Sequence, residues 1–298
     1  MHEAVARFVP DGASLCMGTA LEALIPFAAG HEIIRQRRRD LTLVGPISDI
    51  LFDQLVAAGS VRRIQAAWVG NVSAGLGHNY RRAVERGIPH PIEVEDHSNL
   101  TIAAALQAGA IGAPYLPTRS LLGTGLLDSN PSFKQARDPF SGDPVVLIPA
   151  LTPDVAILHV QRADREGHAH CWGTLGITRQ AALAARRLII VAEEIHPRDI
   201  LLSDPGLVLA PALKVAAVVH EPFGAYPSPV QGCYRRGHDF YHRYHEDSRT
   251  VEGSRAWLDR WVFGVVDWKG FLDLLGPDAQ RAVRITTPRL SEPLDYGA

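Results

Sequence analysis

Two kinds of residue cluster in this chain could do chemistry. Glu93, Glu95 and Asp96 lie close together, and neighbouring carboxylates raise one another's pKa, which is one way to prepare a general base. Histidines gather in two places, and histidine and cysteine side chains are common zinc ligands. The first place adds a cysteine and the second does not: His168, His170 and Cys171, then His238, His242 and His245. A general base and a metal site are therefore the first chemistries to consider.

The residues around the second histidine group favour a structural role. These histidines are spaced as on a helix and share their segment with Tyr241, Arg243 and Tyr244. This mixture is typical of a helix that packs its aromatic rings and exposes the rest. The cysteines are odd in number and far apart, so they give neither a Cys-x-x-Cys pair nor a disulfide framework: Cys16, Cys171 and Cys233. We expect neither histidine group to bind a metal.

Short apolar runs recur along the chain and predict the elements that must position these residues. Several runs are apolar on successive residues, as expected of strands covered on both faces. They predict an α/β fold with an open, mostly parallel, helix-flanked sheet, with strands at residues 41–44, 63–69, 155–160, 188–191 and 215–219. Open α/β sheets bind ligands at the carboxyl ends of their strands, so we expect a site in the loops that follow.

Helical patterns lie between the apolar runs, at residues 27–37, 48–58, 100–108 and 180–185. Ser48 is predicted to cap the second of these helices, with Asp49 in its first turn, and Gly59 to end it. Residues 119–143 contain glycine and proline and are weakly periodic. A stretch of this length is usually functional or partly disordered.

The character of the sequence changes after Pro222. A turn-rich connector follows, and then helical patterns at residues 239–247, 251–261 and 267–275. We predict an α/β domain over residues 1–222 and a helical extension over 223–298, packed on that domain or on a partner.

The composition predicts a soluble, cytoplasmic protein. The chain has 298 residues, of which 46% are hydrophobic, enough to bury a core of its own. It has no apolar run of about 18 residues and does not begin like a signal peptide. Its 30 basic residues are dispersed among 32 acidic ones, whereas nucleic-acid binding needs concentrated positive charge. We expect neither a nucleic acid nor a membrane as a partner.

The longest motif covers residues 93–126, EVEDHSNLTIAAALQAGAIGAPYLPTRSLLGTGL. Together with the Asp164-Arg-Glu-Gly-His-Ala loop, it resembles the A subunit of family I coenzyme A transferases, of the glutaconate and 3-oxoacid CoA-transferase type. The resemblance spans roughly residues 5–265 and implies the open sheet that CoA-transferases share with sugar-phosphate isomerases. It also identifies His168 as a substituted loop asparagine and favours a structural role for the acidic run.

The resemblance implies that this chain is half of an enzyme. In that family a glutamate on the partner chain, the B subunit, attacks an acyl-CoA, forms a thioester with CoA and passes CoA to a carboxylic acid. That glutamate lies in a Ser-Glu-Asn-Gly motif, which is absent from all 298 residues. The implied partners are a B subunit with this motif, an acyl-CoA and a carboxylic acid, in a hetero-oligomer. CoA is then a substrate, and no tightly bound cofactor is implied.

The resemblance also implies which residues of this chain form the acid pocket. A glycine at a strand end lets backbone N–H groups approach a ligand oxygen, and the arginine fork suits a carboxylate. No catalytic nucleophile is expected in this chain. The residues expected to position substrate and stabilise an oxyanion are Gly18, Thr19, Gly70, Asn71, Ser73, Asn99 and Arg119.

Three alternatives stay open. Steroid ring-opening hydrolases of the same fold carry a catalytic carboxylate where this chain has Asn99, and an amide cannot act as a base. Glu93 or Glu95 pointing into the cleft would favour that alternative. A sugar-phosphate isomerase and a non-enzymatic regulatory or binding module are the others, because the fold alone does not decide function.

Overall fold

The computed structural model describes residues 1–286 and, beyond them, Leu290 and Pro293. Its centre is one large sheet built from β1 Ser14–Cys16, β2 Leu41–Ile47, β3 Val61–Trp68, β6 Glu93–Asp96, β10 Val155–Ala163, β11 Ala169–His170, β12 Arg187–Ile195 and β13 Val215–His220. The strand order is β13-β12-β10-β1-β2-β3-β6, and β11 pairs with the end of β10. Neighbours along this order are parallel. The predicted α/β fold is confirmed.

The central strands are buried because helices cover both faces of the sheet. Leu15 of β1 lies beside Leu43 of β2 and Val155 of β10, and all three side chains are buried. Such strands must be apolar on successive residues, since neither face meets water. The apolar runs predicted as strands lie in β2, β3, β10, β12 and β13, so these predictions are confirmed.

The strand order reverses at β1, which places a crevice at one edge of the sheet. β2 and β3 follow on one side, and β10 and β12 on the other. Cys16, the last residue of β1, pairs with Val44 and Ala156, whereas β10 runs on to Ala163. The early end of β1 leaves room between its neighbours at a topological switch point, where open α/β sheets bind their ligands.

The helices that precede the C-terminal segment are α1 His2–Phe8, α2 Phe27–Arg35, α3 Asp49–Ala57, α4 His78–Arg86, α5 Asn99–Ile111, α6 Gly125–Ser129, α7 Thr178–Ala184 and α8 Arg198–Leu202. The helical patterns predicted before residue 119 and at 180–185 are confirmed. Ser48 is the N-cap residue of α3, as predicted, but its side chain makes no capping bond, because its Oγ donates to the carbonyl of Met17 at 3.0 Å. No helix in the described part of the chain is long and apolar enough to span a membrane.

Residues 115–149 form a small second sheet. Its strands are β7 Tyr115–Thr118, β8 Lys134–Arg137 and β9 Pro144–Pro149, in the antiparallel order β7-β9-β8. One face packs a separate apolar cluster against α5, made of Ala105, Leu121, Phe133, Val146 and Ile148. The segment 119–143 therefore contains α6 and β8. A short hairpin, β4 Gly70–Asn71 and β5 Gly75–Leu76, completes the strands.

The C-terminal segment is helical, as its patterns predicted. It forms α9 His238–Asp247, α10 Val251–Leu258 with a π-helical continuation Asp259–Phe263, α11 Trp268–Leu275 and α12 Pro277–Val283. Its rings meet α2 at the buried His31, whose ring centroid lies 5.4 Å from those of Trp268 and Phe271. The division into domains at residue 222 stays a prediction, and residues 287–289, 291–292 and 294–298 of the predicted extension lie outside the described residues.

Candidate functional site

The loop after β1 brings Gly18 against the start of α3. Gly18 has φ +63°, and a Cβ on it would lie 2.2 Å from Ser48 Oγ. Glycine is needed both for the left-handed backbone and for this close approach. Leu21 and Leu24 in the same loop have φ +59° and +56°, values that cost a side-chain-bearing residue free energy and that cluster at functional sites.

Thr19 is turned into the protein at this loop. Its Oγ1 lies 2.8 Å from Oγ1 of Thr178, and that hydroxyl donates to the carbonyl of Leu175. Thr178 has one proton to donate, so Thr19 is the donor in the shared bond. The Thr19 side chain is buried and holds α7 against the loop.

The hairpin after β3 brings Asn71 and Ser73 to the same edge of the sheet. Asn71 is buried, and its Nδ2 donates to the carbonyl of Tyr241 at 2.8 Å. Its Oδ1 accepts from the backbone N–H of Ser73 at 3.0 Å. Both halves of the Asn71 amide therefore bind protein groups, whereas Ser73 is only partly buried and can meet a ligand.

A buried ion pair joins these two loops to the C-terminal segment. Arg236 Nη2 donates to Asp49 Oδ2 at 2.5 Å, and the two side chains are 1% and 0% exposed. Arg236 Nε donates to Ser73 Oγ at 2.9 Å, and Asp49 Oδ1 accepts from the N–H of Val72. This pair was not predicted. Asp49 could have been singled out as a carboxylate just after a predicted strand. Arg236 lies 187 residues away in sequence, and no pattern in the sequence marks it.

The acidic run of β6 is divided between one buried and two exposed carboxylates. Glu93 and Asp96 are exposed. Glu95 is buried and accepts hydrogen bonds from His97, Gln65, Ser132 and Arg63. These bonds, led by the one from His97, hold the pKa of the Glu95 carboxyl well below its usual value. A carboxylate so stabilised in its ionised form is a poor base, which agrees with the structural role favoured for this run.

Two of the other predicted site residues, Asn99 and Arg119, lie apart from the cluster formed by Gly18, Asn71 and Ser73. Asn99 is the exposed first residue of α5, after the edge strand β6. Arg119 follows β7 in the small sheet, where it pairs with exposed Asp143 at 2.6 Å. Gly70 begins the hairpin, and a Cβ there would lie 2.4 Å from the Trp68 ring. Contacts through Ser48, Asp49 and Arg236 thus join Gly18, Asn71 and Ser73 into one cluster. Asn99 lies at the start of α5 and Arg119 in the small sheet, outside this cluster.

The first histidine group lies in a closed turn. Asp164, Glu166 and His168 bring one ligand atom each within 4.8 Å of one another. Asp164 accepts from the N–H groups of Glu166 and His168 and from His168 Nδ1 at 2.7 Å. His170 Nε2 bonds the carbonyl of Leu201. These contacts give the loop a structural role, and the expected lack of metal binding stays a prediction.

A cavity of about 330 Å³ lies at the carboxyl ends of β10 and β12. Its lining includes Gln161, Arg162, Trp172 and Cys233. Burial first, then the charges of Glu193 and Glu194, raise the pKa of the Cys233 thiol to about 12, so the thiol stays protonated and is not a nucleophile. The cavity offers polar and aromatic contacts, and the Glu194 carboxylate, which also lines it, pairs with Arg162 and His196.

Fold and site together define an α/β protein with an open, mostly parallel sheet, whose loops at the carboxyl ends of the strands carry the candidate site. The coenzyme A transferase family model matches residues 1–221. The A subunit of 3-oxoadipate CoA-transferase from Pseudomonas knackmussii is 39% identical over 271 residues, covering 91% of this chain and 95% of the relative. The A subunit of glutaconate CoA-transferase from Acidaminococcus fermentans is 31% identical over 293 residues, covering 93% and 91%.

The solved structure of glutaconate coenzyme A-transferase from Acidaminococcus fermentans superposes with a TM-score of 0.90 at 30% identity, covering 99% of this chain and 97% of that one. This chain belongs to the coenzyme A transferase family. The predicted resemblance, to an A subunit of this family, is confirmed.

Proposed function

We propose that this chain is the acid-binding half of a heteromeric CoA-transferase that works through a glutamyl-CoA thioester on its B subunit. The partner's glutamate attacks the acyl-CoA carbonyl and expels CoA thiolate, which leaves an acyl-glutamyl anhydride. The thiolate then attacks the glutamyl carbonyl and releases the first acid. The acceptor carboxylate and the thiolate repeat these steps in reverse, so the glutamate is regenerated.

One observation carries the proposal: the cluster at the switch point offers a hydroxyl donor while its carboxylates are engaged or buried. Asp49 is ion-paired to Arg236, and Oε2 of Glu22 is buried. These contacts, together with the absence of a Ser-Glu-Asn-Gly motif from the sequence, support a nucleophile that the partner chain supplies. The names of the relatives support this division, because each is the A subunit of its transferase.

The same names support a class of acid. 3-Oxoadipate and glutaconate, named in those relatives, are both dicarboxylic acids, so dicarboxylic acids are the first acceptors to test. Ser73 is the residue of the cluster best placed to meet the reacting carboxylate. We keep Gly18, Thr19, Gly70, Asn71, Asn99 and Arg119 as proposed pocket residues, and the exposed Arg119 is the residue that we propose for the distal carboxylate.

Co-expression with a candidate B chain that carries the Ser-Glu-Asn-Gly motif tests the proposal. The complex should transfer CoA from an acyl-CoA to a free acid, and the rate should depend on both, whereas this chain alone should transfer none. Thioester hydrolysis by the complex without any need for an acceptor acid would favour the ring-opening hydrolase instead. Turnover of ribose 5-phosphate by the chain alone would favour the sugar-phosphate isomerase. No turnover by the complex in any of these assays would favour a regulatory or binding module.

A further inference from the structure

The buried arginine beside Ser73 has features that a purely structural link does not need. Asp49 takes a left-handed backbone, φ +47°, which costs a non-glycine residue free energy. Nη1 of Arg236 is buried without a hydrogen-bond partner in the described part of the chain. Burying an ion pair also costs desolvation, and apolar residues of similar size often stabilise a fold as well or better.

The elements joined by this pair already have another buried link. One turn further along α3, Asp53 Oδ2 accepts from the hydroxyl of Tyr244 on α9 at 2.6 Å and from Nδ2 of Asn79 at 2.8 Å. That network makes a neighbouring junction without a left-handed residue and without a buried ion pair. The Asp49–Arg236 pair therefore has a further role, and its contact with Ser73 suggests which one.

Arg236 determines what the Ser73 hydroxyl can do. The Ser73 oxygen accepts from Arg236 Nε at 2.9 Å, so its own proton must be donated elsewhere. Nδ1 of His238 lies 3.5 Å from this oxygen, which is too long for a good O–H hydrogen bond. A hydroxyl that accepts from a cation is polarised and becomes a stronger donor, because hydrogen bonds in a chain strengthen one another.

We propose that Arg236, fixed by Asp49, is a positioning residue that orients the Ser73 hydroxyl to donate to a carboxylate oxygen of the acid substrate. The inference rests on the proposed function, since it assumes that an acid binds at this edge. Tyr241 completes the arrangement: the Arg236 guanidinium carbon lies 3.7 Å from the centre of its ring, which holds the arginine plane from one side.

The test uses the complex with the B chain and compares Ser73→Ala, Arg236→Gln, Arg236→Lys and the double variant Ser73→Ala/Arg236→Gln. Loss of a charge-assisted donor should raise KM for the acceptor acid roughly tenfold or more in Ser73→Ala and in Arg236→Gln, with kcat at saturating acid nearly unchanged. Because Arg236 acts through Ser73, the KM of the double variant for the acid should be no higher than that of Ser73→Ala alone. Arg236→Lys should recover part of the loss, since lysine keeps a cationic donor.

Tyr244→Phe is the matched control, because it removes the neighbouring buried bond between α3 and the C-terminal segment. It should lower the midpoint of thermal unfolding and leave KM for the acid unchanged. If Arg236→Gln does not fold, Arg236→Lys with and without Ser73→Ala gives the same comparison. Additive losses in the double variant, or an equal rise of KM in Tyr244→Phe, would overturn the inference. An unsubstituted complex that transfers no CoA would instead overturn the proposed function, and the inference with it.

Discussion

Glycine is required at position 18 for two separate reasons. Its φ of +63° disfavours any side chain, and its missing Cβ makes room for Ser48. Gly12 shares the first cause, with φ +78°, but has nothing within 4 Å of its Cβ position. Comparing the same substitution at Gly12 and Gly18 therefore separates the cost of backbone strain from the cost of steric contact.

Alanine at these two positions should have unequal effects. Gly12→Ala should lower the free energy of unfolding by about 1 kcal/mol, the cost of a left-handed alanine. Gly18→Ala should cost at least about 1 kcal/mol more, because overpacking adds to the strain. Urea unfolding of both variants measures the difference, and equal losses would mean that Ser48 moves aside freely.

Residue roles followed less well from the sequence than residue positions. The positions of Gly18 and Gly70 could be singled out from the sequence, because a glycine at a strand end often allows a backbone conformation or a close approach that other residues do not. The tasks of Thr19 and Asn71 could not be read from their types, since their partners Thr178 and the carbonyl of Tyr241 lie more than a hundred residues away in sequence. The role of Arg236 could not be predicted either, because its partner Asp49 lies 187 residues away in sequence.

Among the elements, β6 and its neighbours illustrate how a charge can serve structure. Arg63 and Gln65 of β3 reach Glu95 of β6 across the sheet, and Ser132 and His97 reach it from the loops. The network ties the edge strand to the small sheet that follows. Its stability contribution must depend on the ionisation of Glu95.

Glu95→Gln should therefore destabilise the protein in a pH-dependent way. The folded-state pKa of Glu95 is lowered, so its contribution is complete above the unfolded value of about 4.3 and is lost as the pH falls towards the folded one. We expect a loss of about 2 kcal/mol in the free energy of unfolding at pH 7, which shrinks as the pH falls below about 4. Glu93→Gln, an exposed change on the same strand, should stay within about 0.5 kcal/mol throughout. A loss for Glu95→Gln that does not vary with pH would contradict the ionised network.

Elements were predictable where local pattern and burial agree. The strands β2, β10 and β12 are apolar on successive residues because both their faces are covered, and that pattern is visible in the sequence. The small sheet was not predicted, because β8, Lys134–Arg137, is largely polar and exposed and is held by pairing with β9. The Ser48 side chain makes no capping bond, because its hydroxyl donates to the carbonyl of Met17, which belongs to another part of the chain.

At the scale of the whole molecule, the switch point, the loops and the C-terminal helices converge on one edge of the sheet. Asp49 comes from the end of β2, Ser73 from the hairpin after β3, and Arg236 from the segment before α9. The C-terminal helices thus contribute to the site as well as packing their rings on α2. In the mechanism that we propose, this arrangement supplies hydrogen-bond donors for an acid, and the attacking carboxylate belongs to the partner chain.

The most direct test of this division is to trap the thioester. Borohydride added together with acyl-CoA should inactivate the complex with the B chain, because it reduces a glutamyl thioester to an alcohol. Peptide mass spectrometry of both chains should find the reduced glutamate on the B chain, only when acyl-CoA is present, and Glu22, Glu93 and Glu95 of this chain unmodified. A substrate-dependent reduced glutamate on this chain would contradict the account, since the nucleophile would then lie on the chain that we assign to acid binding.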